Sequence, residues 1–337
     1  MSKLHKIALN GTVFWARSGQ LLLDAALVNG VELPHDCRAG RCGTCVTRLV
    51  AGITVGGNTR QIGMVHACQA RVLSDLSIAC EKLPPVDVVE ARVMQLVDLT
   101  EDVVELVVRP TQPVKYFPGQ YYRFTFHGFP ARAFSPTQPL DGKWLHKAFC
   151  LNIKRVRNGR VSTQLGTGIR EGHRVSMLGP FGHAFHRPGQ TQRLVLVAGG
   201  TGFAPIWAIA RAALLENPTR PIWIVGGARR LKSLYMAPAL ELASRFPNVT
   251  VVPAVESLEG ISAPVLVGSP DSHLPPLTRD DVIYAAGAPV MIDRVAAAAS
   301  SVGASFYSDP FEPSATDETA TLTKIGSWFR AAVSGHM

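Results

Sequence analysis

Cys37-Arg38-Ala39-Gly40-Arg41-Cys42-Gly43-Thr44-Cys45 is the most telling stretch of this 337-residue chain. Three cysteines at Cys-x4-Cys-x2-Cys spacing, with a further cysteine downstream, are the arrangement that holds a [2Fe–2S] cluster. Three thiolates on one tight loop converge on the irons, and the fourth arrives from another strand. Gly40 and Gly43 let the backbone close around the cluster, so that amide N–H groups point at its sulfurs. Arg38 and Arg41 flank a group that is anionic once four thiolates bind it. Zinc more often takes two short Cys-x2–4-Cys hooks, and purely structural cysteines are the other alternative. No Cys-x-His pair occurs, so a Rieske centre is not expected. The candidate ligands are Cys37, Cys42 and Cys45, with Cys68 or Cys80 as the fourth. Spacing alone leaves that last choice open.

Outward from the loop, five of the six cysteines fall in the first 80 residues. In a long chain such clustering reads as metal binding before disulfides. Cys80 and Cys150 read as buried apolar residues. Just upstream, Leu21 to Asn29 has helical spacing through Leu22, Ala25, Ala26 and Val28, and stops at Gly30. Downstream, Leu83-Pro84-Pro85 can continue neither a helix nor a central strand. Arg187-Pro188-Gly189-Gln190 is a second, turn-rich break. These breaks predict domains at 1–84, 85–187 and 188–312, followed by a tail at 313–337.

The middle segment alternates apolar and polar residues at Val103 to Val108, Tyr121 to Phe126 and Phe149 to Ile153, as an antiparallel barrel would. The third alternates buried strands with helices. Strands are expected at Leu194 to Val197, Ile222 to Val225, Val249 to Val252 and Val282 to Ala285. Helices are expected from Phe203, near Ala237 to Arg245, and from Pro289 to Ser301. This is the pattern of a doubly wound parallel sheet. The tail opens polar and then carries Leu322, Ile325, Phe329 and Val333 at helical spacing. The fold class expected is therefore multidomain, α+β and α/β.

The formal charge is +9, with 47% apolar and 18% charged residues. Such a composition folds into cores rather than staying disordered. The three segments carry +4, +6 and −1, and the tail is neutral. The basic residues are scattered singly, without a Lys/Arg block and with few interleaved aromatics, which argues against nucleic acid. An acidic protein partner or bound anionic cofactors suit scattered positive charge better. No apolar run reaches the roughly 18 residues of a membrane span, and the N-terminus lacks an apolar signal core. A cytoplasmic protein without a membrane partner is expected.

Five further motifs follow along the chain. Arg132-Ala133-Phe134-Ser135 lies in the barrel segment. Ile153-Lys154-Arg155 is followed by Gly159-Arg160-Val161-Ser162-Thr163, where Gly159 allows close backbone approach. Ser162 and Thr163 can cap a helix start that attracts phosphate. Gly199-Gly200-Thr201-Gly202-Phe203-Ala204-Pro205 follows the strand from Leu194. It is not the Gly-x-Gly-x-x-Gly fingerprint, but it brings a pyrophosphate to a helix N-terminus by the same physics, and Pro205 suits the first turn. Ala286-Gly287-Ala288-Pro289-Val290-Met291 and Tyr307-Ser308-Asp309-Pro310-Phe311 close the series.

In this order, from the cysteine loop to Phe311, the motifs resemble one family over about residues 1–312. It is that of the reductases that feed electrons to bacterial aromatic-ring dioxygenases. In those proteins a plant-type ferredoxin domain precedes a ferredoxin–NADP reductase-like pair of domains. The resemblance implies a β-grasp fold for the first domain, an FAD-binding barrel for the second and an NAD(P)-binding third. Residues 65–78 resemble the ferredoxin stretch that carries the last ligand, which selects Cys68. Arg132 would bind the flavin's phosphate side, with Ala133 in the same motif, and Phe134 would pack on the ring and ribityl face. Ser135 would hydrogen-bond near N5. Ile153, Lys154, Gly159, Val161, Ser162 and Thr163 would line the ring and pyrophosphate. Gly199, Gly200, Thr201, Gly202, Pro205, Gly287, Pro289 and Met291 would hold the nicotinamide nucleotide. Phe311 would cover the flavin and move aside for hydride transfer. Ser135 and Phe311 are thus the residues expected to tune the flavin step.

The family commonly has a cysteine where Ala286 stands. Many NADH-preferring relatives carry an aspartate where Ser233 stands, and Arg229, Arg230 and Lys232 could pair a 2′-phosphate, so both NADH and NADPH are expected to serve. The resemblance further implies a monomer that passes electrons to an acidic ferredoxin or a terminal oxygenase. The same architecture also serves diiron monooxygenases and deoxysugar dehydratases. A redox-sensing regulator is the reading from a different class.

Overall fold

A computed structural model describes residues 3–143 and 145–311. The expected tail helix, its 313–337 span and Leu322, Ile325, Phe329 and Val333 lie outside the described residues.

The first sheet takes the order β2-β1-β7-β3-β5, from β1 (Leu4–Leu9), β2 (Thr12–Arg17), β3 (Val46–Ala51), β5 (Met64–His66) and β7 (Leu76–Ala79). β1 runs parallel to β7 and antiparallel to β2, a mixed sheet of the β-grasp kind. A separate two-stranded ribbon pairs β4 (Thr54–Val55) with β6 (Arg71–Val72). Helix α1 (Leu22–Val28) lays Leu22, Leu23, Ala25 and Ala26 onto Ile7, Phe14, Leu76 and Ile78. It ends where its spacing does. The Gly30 N–H donates to Leu27 O and the Val31 N–H to Ala26 O, with Gly30 in the left-handed region. The cysteine loop occupies the long connection from α1 to β3.

The second sheet is antiparallel and almost closed, in the order β11-β10-β13-β8-β9-β12. Its strands are β8 (Asp87–Asp98), β9 (Val103–Pro110), β10 (Tyr121–Phe126), β11 (Arg132–Phe134), β12 (Phe149–Lys154) and β13 (Arg174–Phe181). A bridge between Thr137 and Cys150 draws the two edges together. β8 turns Val89, Ala91 and Val93 inward at period two, to meet Leu106, Phe124, Leu151 and Met177.

The third sheet is wholly parallel, in the order β17-β16-β15-β14-β18-β19. It is built from β14 (Leu194–Gly199), β15 (Ile222–Arg230), β16 (Val249–Ser257), β17 (Leu266–Val267), β18 (Val282–Gly287) and β19 (Ser305–Pro310). Helices α2 (Phe203–Glu216) and α3 (Ala237–Ser244) cover one face, and α4 (Pro289–Val302) covers the other. Both faces being covered explains why Leu194 to Ala198 is an unbroken apolar run with no solvent exposure. Strand order reverses between β14 and β18. Their carboxyl ends, Gly199 and Gly287, therefore mark the crevice where such sheets bind ligands. No helix among the described residues is long and apolar enough to cross a membrane.

Candidate functional site

The loop between α1 and β3 carries the first three cysteines, and the turn after β5 carries Cys68. Arg38, Gly40 and Gly43 all adopt left-handed φ, so the chain coils tightly enough to turn several amides inward. The Ala39 and Cys42 N–H groups both donate to Cys37 Sγ, at 3.4 Å. The thiols are related two by two: Cys42 donates to Cys37, and Cys45 lies against Cys68, with Cys37 close enough to act on Cys45. The bond from Cys42 is the main reason Cys37 is held down at about 4. The same bond, with burial, pushes Cys42 up. Burial first, and then the neighbouring thiols, raise Cys45 to about 12.

Four thiols this close cannot all ionise unless a cationic centre sits among them, which the irons of a cluster supply. Two linked pairs suit a two-iron group. Among the described residues, no three His, Cys, Asp or Glu side chains are gathered around a single-ion site. Cys80 lies elsewhere, at the end of β7, where its backbone pairs with the Asn10 side chain. It is only partly buried, unlike Cys150, which is fully so, and the expectation of a buried Cys80 is corrected accordingly.

The cluster loop is fastened to the barrel by residues that no sequence motif singles out. Tyr121 Oη donates to Asp36 Oδ2 at 2.6 Å, and Arg123 Nη2 meets Asp36 Oδ1 at 2.7 Å. The Gly182 N–H donates to Thr44 Oγ1 at 3.0 Å, and that same oxygen lies 3.3 Å from Cys42 Sγ. Tyr121 and Arg123 are on β10, the strand that pairs with β11 and its Arg132-Ala133-Phe134.

At the barrel's open seam, Ser135 is 6% exposed and donates from Oγ to Asp309 Oδ2 at 3.3 Å. Burial pushes the Asp309 carboxyl up to about 7, against the opposing effect of Ser135. Asp309 is opposite Ala286 in the β18–β19 register, and the next residues continue it, Gly287 opposite Pro310. The Phe311 N–H then donates to Gly287 O at 2.8 Å, with the Phe311 ring partly exposed. Ser135, Ala286, Gly287, Asp309 and Phe311 thus meet at one place. Phe134 packs its ring on Phe124, while Arg132 reaches only the Ala131 carbonyl.

Among the described residues, Thr137 Oγ1 and both side-chain polar atoms of Asn152 are buried without a hydrogen-bond partner. Thr137 bridges Cys150, so Asn152 and Ser135 lie two residues further along that antiparallel register. Orphaned donors and acceptors beside Ser135 suit a polar-edged ring such as a flavin. The 159–163 turn differs from expectation. Ser162 and Thr163 begin only a three-residue 3-10 turn, and neither side chain caps it. Ser162 Oγ instead accepts from the Val156 N–H at 3.0 Å, and Thr163 Oγ1 donates to Gly159 O at 2.7 Å. Gly159 does allow a close approach, but to Ser162 of its own turn. Ile153 and Val161 are barrel core, and Lys154 pairs with Asp102 at 3.5 Å.

The Gly199–Gly202 turn sits at the strand-order switch and packs against β12 of the barrel. Gly202 is required by its neighbours: a Cβ there would overlap the backbone of Ala286 and Gly287. Gly200 opens onto free space, and Thr201 is half-buried beside it. Pro205 lies in the first turn of α2, Pro289 opens α4, and Met291 Sδ rests near Gly199. Arg229 and Arg230 are exposed at the carboxyl end of β15, just before Ser233. Arg230 has an acidic neighbour in Glu259 at 3.9 Å, and Lys232 has one in Glu101 at 4.0 Å.

Comparison with known proteins gives two family matches along the chain. Residues 7–73 match the 2Fe-2S iron-sulfur cluster binding domain, a span that holds Cys37, Cys42, Cys45 and Cys68 and stops short of Cys80. Residues 196–297 match the oxidoreductase NAD-binding domain. The reductase component of the Pseudomonas putida naphthalene 1,2-dioxygenase system is 28% identical over 327 residues, 90% of this chain and 97% of that protein. The reductase subunit of an Amycolatopsis aromatic O-demethylase is 31% identical over 271 residues, 74% of this chain and 80% of its own. Among solved structures, the ferredoxin reductase in carbazole 1,9a-dioxygenase superposes with a TM-score of 0.64 at 26% identity, over 93% of this chain and 99% of that one.

Proposed function

Because this chain belongs to the [2Fe–2S] ferredoxin–NAD(P)+ reductase components of oxygenase systems, we propose that its electrons serve an oxygenase that hydroxylates an aromatic ring. The chain is an NAD(P)H-dependent oxidoreductase whose cofactors are FAD and a [2Fe–2S] cluster. The observation that most supports the proposed path is the direct hydrogen bonding of the cluster loop to the barrel, through Asp36 to β10, the strand that pairs with the Arg132–Phe134 strand, and through Thr44 to Gly182 just past β13.

A flavin held beside Ser135 and Asp309 would supply hydride acceptance from the coenzyme and single-electron transfer toward the cluster. The protein's part is to bind, orient and tune. Cys37, Cys42, Cys45 and Cys68 are the thiolates that would hold the irons. The Ala39 and Cys42 amides aimed at Cys37 stabilise negative charge there. Asp309 titrates near neutrality, so it can hold a proton on the carboxyl that Ser135 contacts. Phe311, anchored through its N–H to Gly287, covers the crevice with a ring that must rotate away for a nicotinamide to enter. Gly200 and Thr201 offer the open backbone for the pyrophosphate. Arg229, Arg230 and Ser233 offer charge and a hydroxyl for the ribose end.

Arg132, Arg160 and other basic residues make the first two domains positive overall, at +4 and +6, which suits an acidic ferredoxin or oxygenase surface. A monooxygenase acceptor is the second reading, favoured by the likeness to the reductase component of a Pseudomonas phenol 2-monooxygenase, 31% identical over 273 residues.

The test is reconstitution. NAD(P)H-dependent reduction of ferricyanide and of cytochrome c is measured on the purified protein, and then aromatic hydroxylation with candidate oxygenases. Hydroxylation that requires this chain supports the proposal. Turnover of both dyes with no oxygenase accelerated would contradict it.

A further inference from the structure

The two junctions between the three sheets are tied to each other by one side chain. Glu81 follows β7 and precedes the prolines that lead into β8. Arg187 follows the barrel and precedes Pro188 and β14. Arg187 Nε donates to Glu81 Oε1 and Nη2 donates to Oε2, both at 2.7 Å, a two-pronged pair. The guanidinium lies 4.1 Å from the Phe185 ring centroid and 3.7 Å from that of Tyr307. It also donates to Phe185 O, to His183 O and to Tyr284 Oη. Every sheet therefore touches it: the first through Glu81, the barrel's end through His183 and Phe185, the third through Tyr284 on β18 and Tyr307 on β19.

Arg187 is 8% exposed. An ion pair with its guanidinium buried and its carboxylate half-exposed is weak evidence for stability and is better understood as fixing one geometry. What it fixes can be followed outward on both sides. His183 Nε2 is 3.2 Å from Glu81 Oε2, and its Cβ lies so close to Gly43 that an added Cβ there would touch it at 3.4 Å. Its neighbour Gly182 holds Thr44, next to the cysteines. On the other side, Tyr307 is two residues from Asp309, which Ser135 contacts.

We propose that Glu81 and Arg187 form an interdomain clasp that holds the cluster loop against the flavin barrel, and so sets the rate at which electrons pass between them. Both are positioning residues, since neither is placed to touch a cofactor. The inference rests on the electron path given above.

The test uses Glu81→Gln, which keeps the side chain's shape, and Arg187→Met. The holoproteins are mixed anaerobically with NADH in a stopped-flow instrument, and flavin bleaching and cluster bleaching are followed separately, per bound cofactor. Hydrogen exchange at the Gly182 amide is measured on the same proteins without coenzyme. The clasp predicts an unchanged rate of flavin bleaching, cluster reduction slowed by about tenfold or more, and Gly182 exchange faster by a similar factor. Cluster reduction at the wild-type rate overturns it, whether or not Gly182 exchanges faster. Equal slowing of both bleaching phases also overturns it. If Arg187→Met does not fold, Glu81→Gln, altered at a half-exposed carboxylate, decides alone. Wild-type flavin that NADH fails to bleach would instead refute the electron path itself.

Discussion

At the scale of single residues, the cluster ligands and the Ser135–Asp309 pair carry the sharpest expectations. The Cys-x4-Cys-x2-Cys loop was legible because the chemistry dictates the spacing. Spacing alone did not reveal the fourth thiol, because Cys68 and Cys80 both follow at plausible distances; only the family resemblance of residues 65–78 selected Cys68. In space the two separate: Cys68 joins Cys45, and Cys80 turns to Asn10. Cys68→Ala should abolish the visible absorption of the cluster and Cys80→Ala should preserve it; the reverse would sink the assignment. Asp309 gave no signal in the sequence, being one acidic residue in an aromatic terminal strand, and only the β18–β19 register brings it to Ser135. Its carboxyl is about 7 in the fold against an ordinary 3.8, because burial disfavours the charge. A raised acid is most comfortable protonated, so the folded state loses stability as pH rises from about 4 through 7. Asp309→Asn should therefore have a higher Tm than the wild type at pH 8, by about 2–4 °C for each kcal/mol relieved, and little advantage at pH 4.5. Thermal melts at the two pH values check this, and an equal Tm difference at both would contradict it.

At the scale of elements, the strands and helices of the third domain were the most readable, since a parallel sheet covered on both faces leaves long apolar runs. Leu194, Ile222, Val249 and Val282 each begin a strand where their run begins. The barrel was less so. β13 and the long β8 carry no distinctive run, because a strand with one wet face shows only alternation. The turn at 159–163 misled for a physical reason. Ser and Thr favour helix starts, but here their hydroxyls bond back into the loop at Val156 and Gly159, and no long helix follows. The carboxyl end of β15 carries the prediction on coenzyme choice. With Arg229, Arg230 and Ser233 there instead of a carboxylate, NADH and NADPH should both support turnover. Measured kcat/KM values for the two settle it, and a preference for NADH above about a hundredfold would refute dual use.

At the scale of the whole molecule, the order of motifs along the chain was readable, but the way the three sheets lock together was not. Glu81, Arg187 and Tyr307 are far apart in sequence, and each is an ordinary residue type where it stands. Their meeting is a property of the assembled fold. The same holds for Asp36 with Tyr121 and Arg123, which dock the cluster loop on the barrel. The positive charge of the first two domains belongs to this scale as well. Exposed charges farther apart than about 8 Å are screened at physiological salt, so the rate of reduction of an acidic acceptor should fall as salt is added. A rate indifferent to salt would count against electrostatic docking. Electrons are proposed to run from NAD(P)H through the flavin to the cysteine-held cluster within this one chain. Anaerobic titration of the purified protein with NADH, followed by its visible spectrum and by electron paramagnetic resonance, is the decisive test. Bleaching of the flavin together with a reduced [2Fe–2S] signal is expected, with loss of that signal but not of flavin bleaching in Cys68→Ala. A flavin that bleaches while the cluster stays oxidised in the wild-type protein would contradict it.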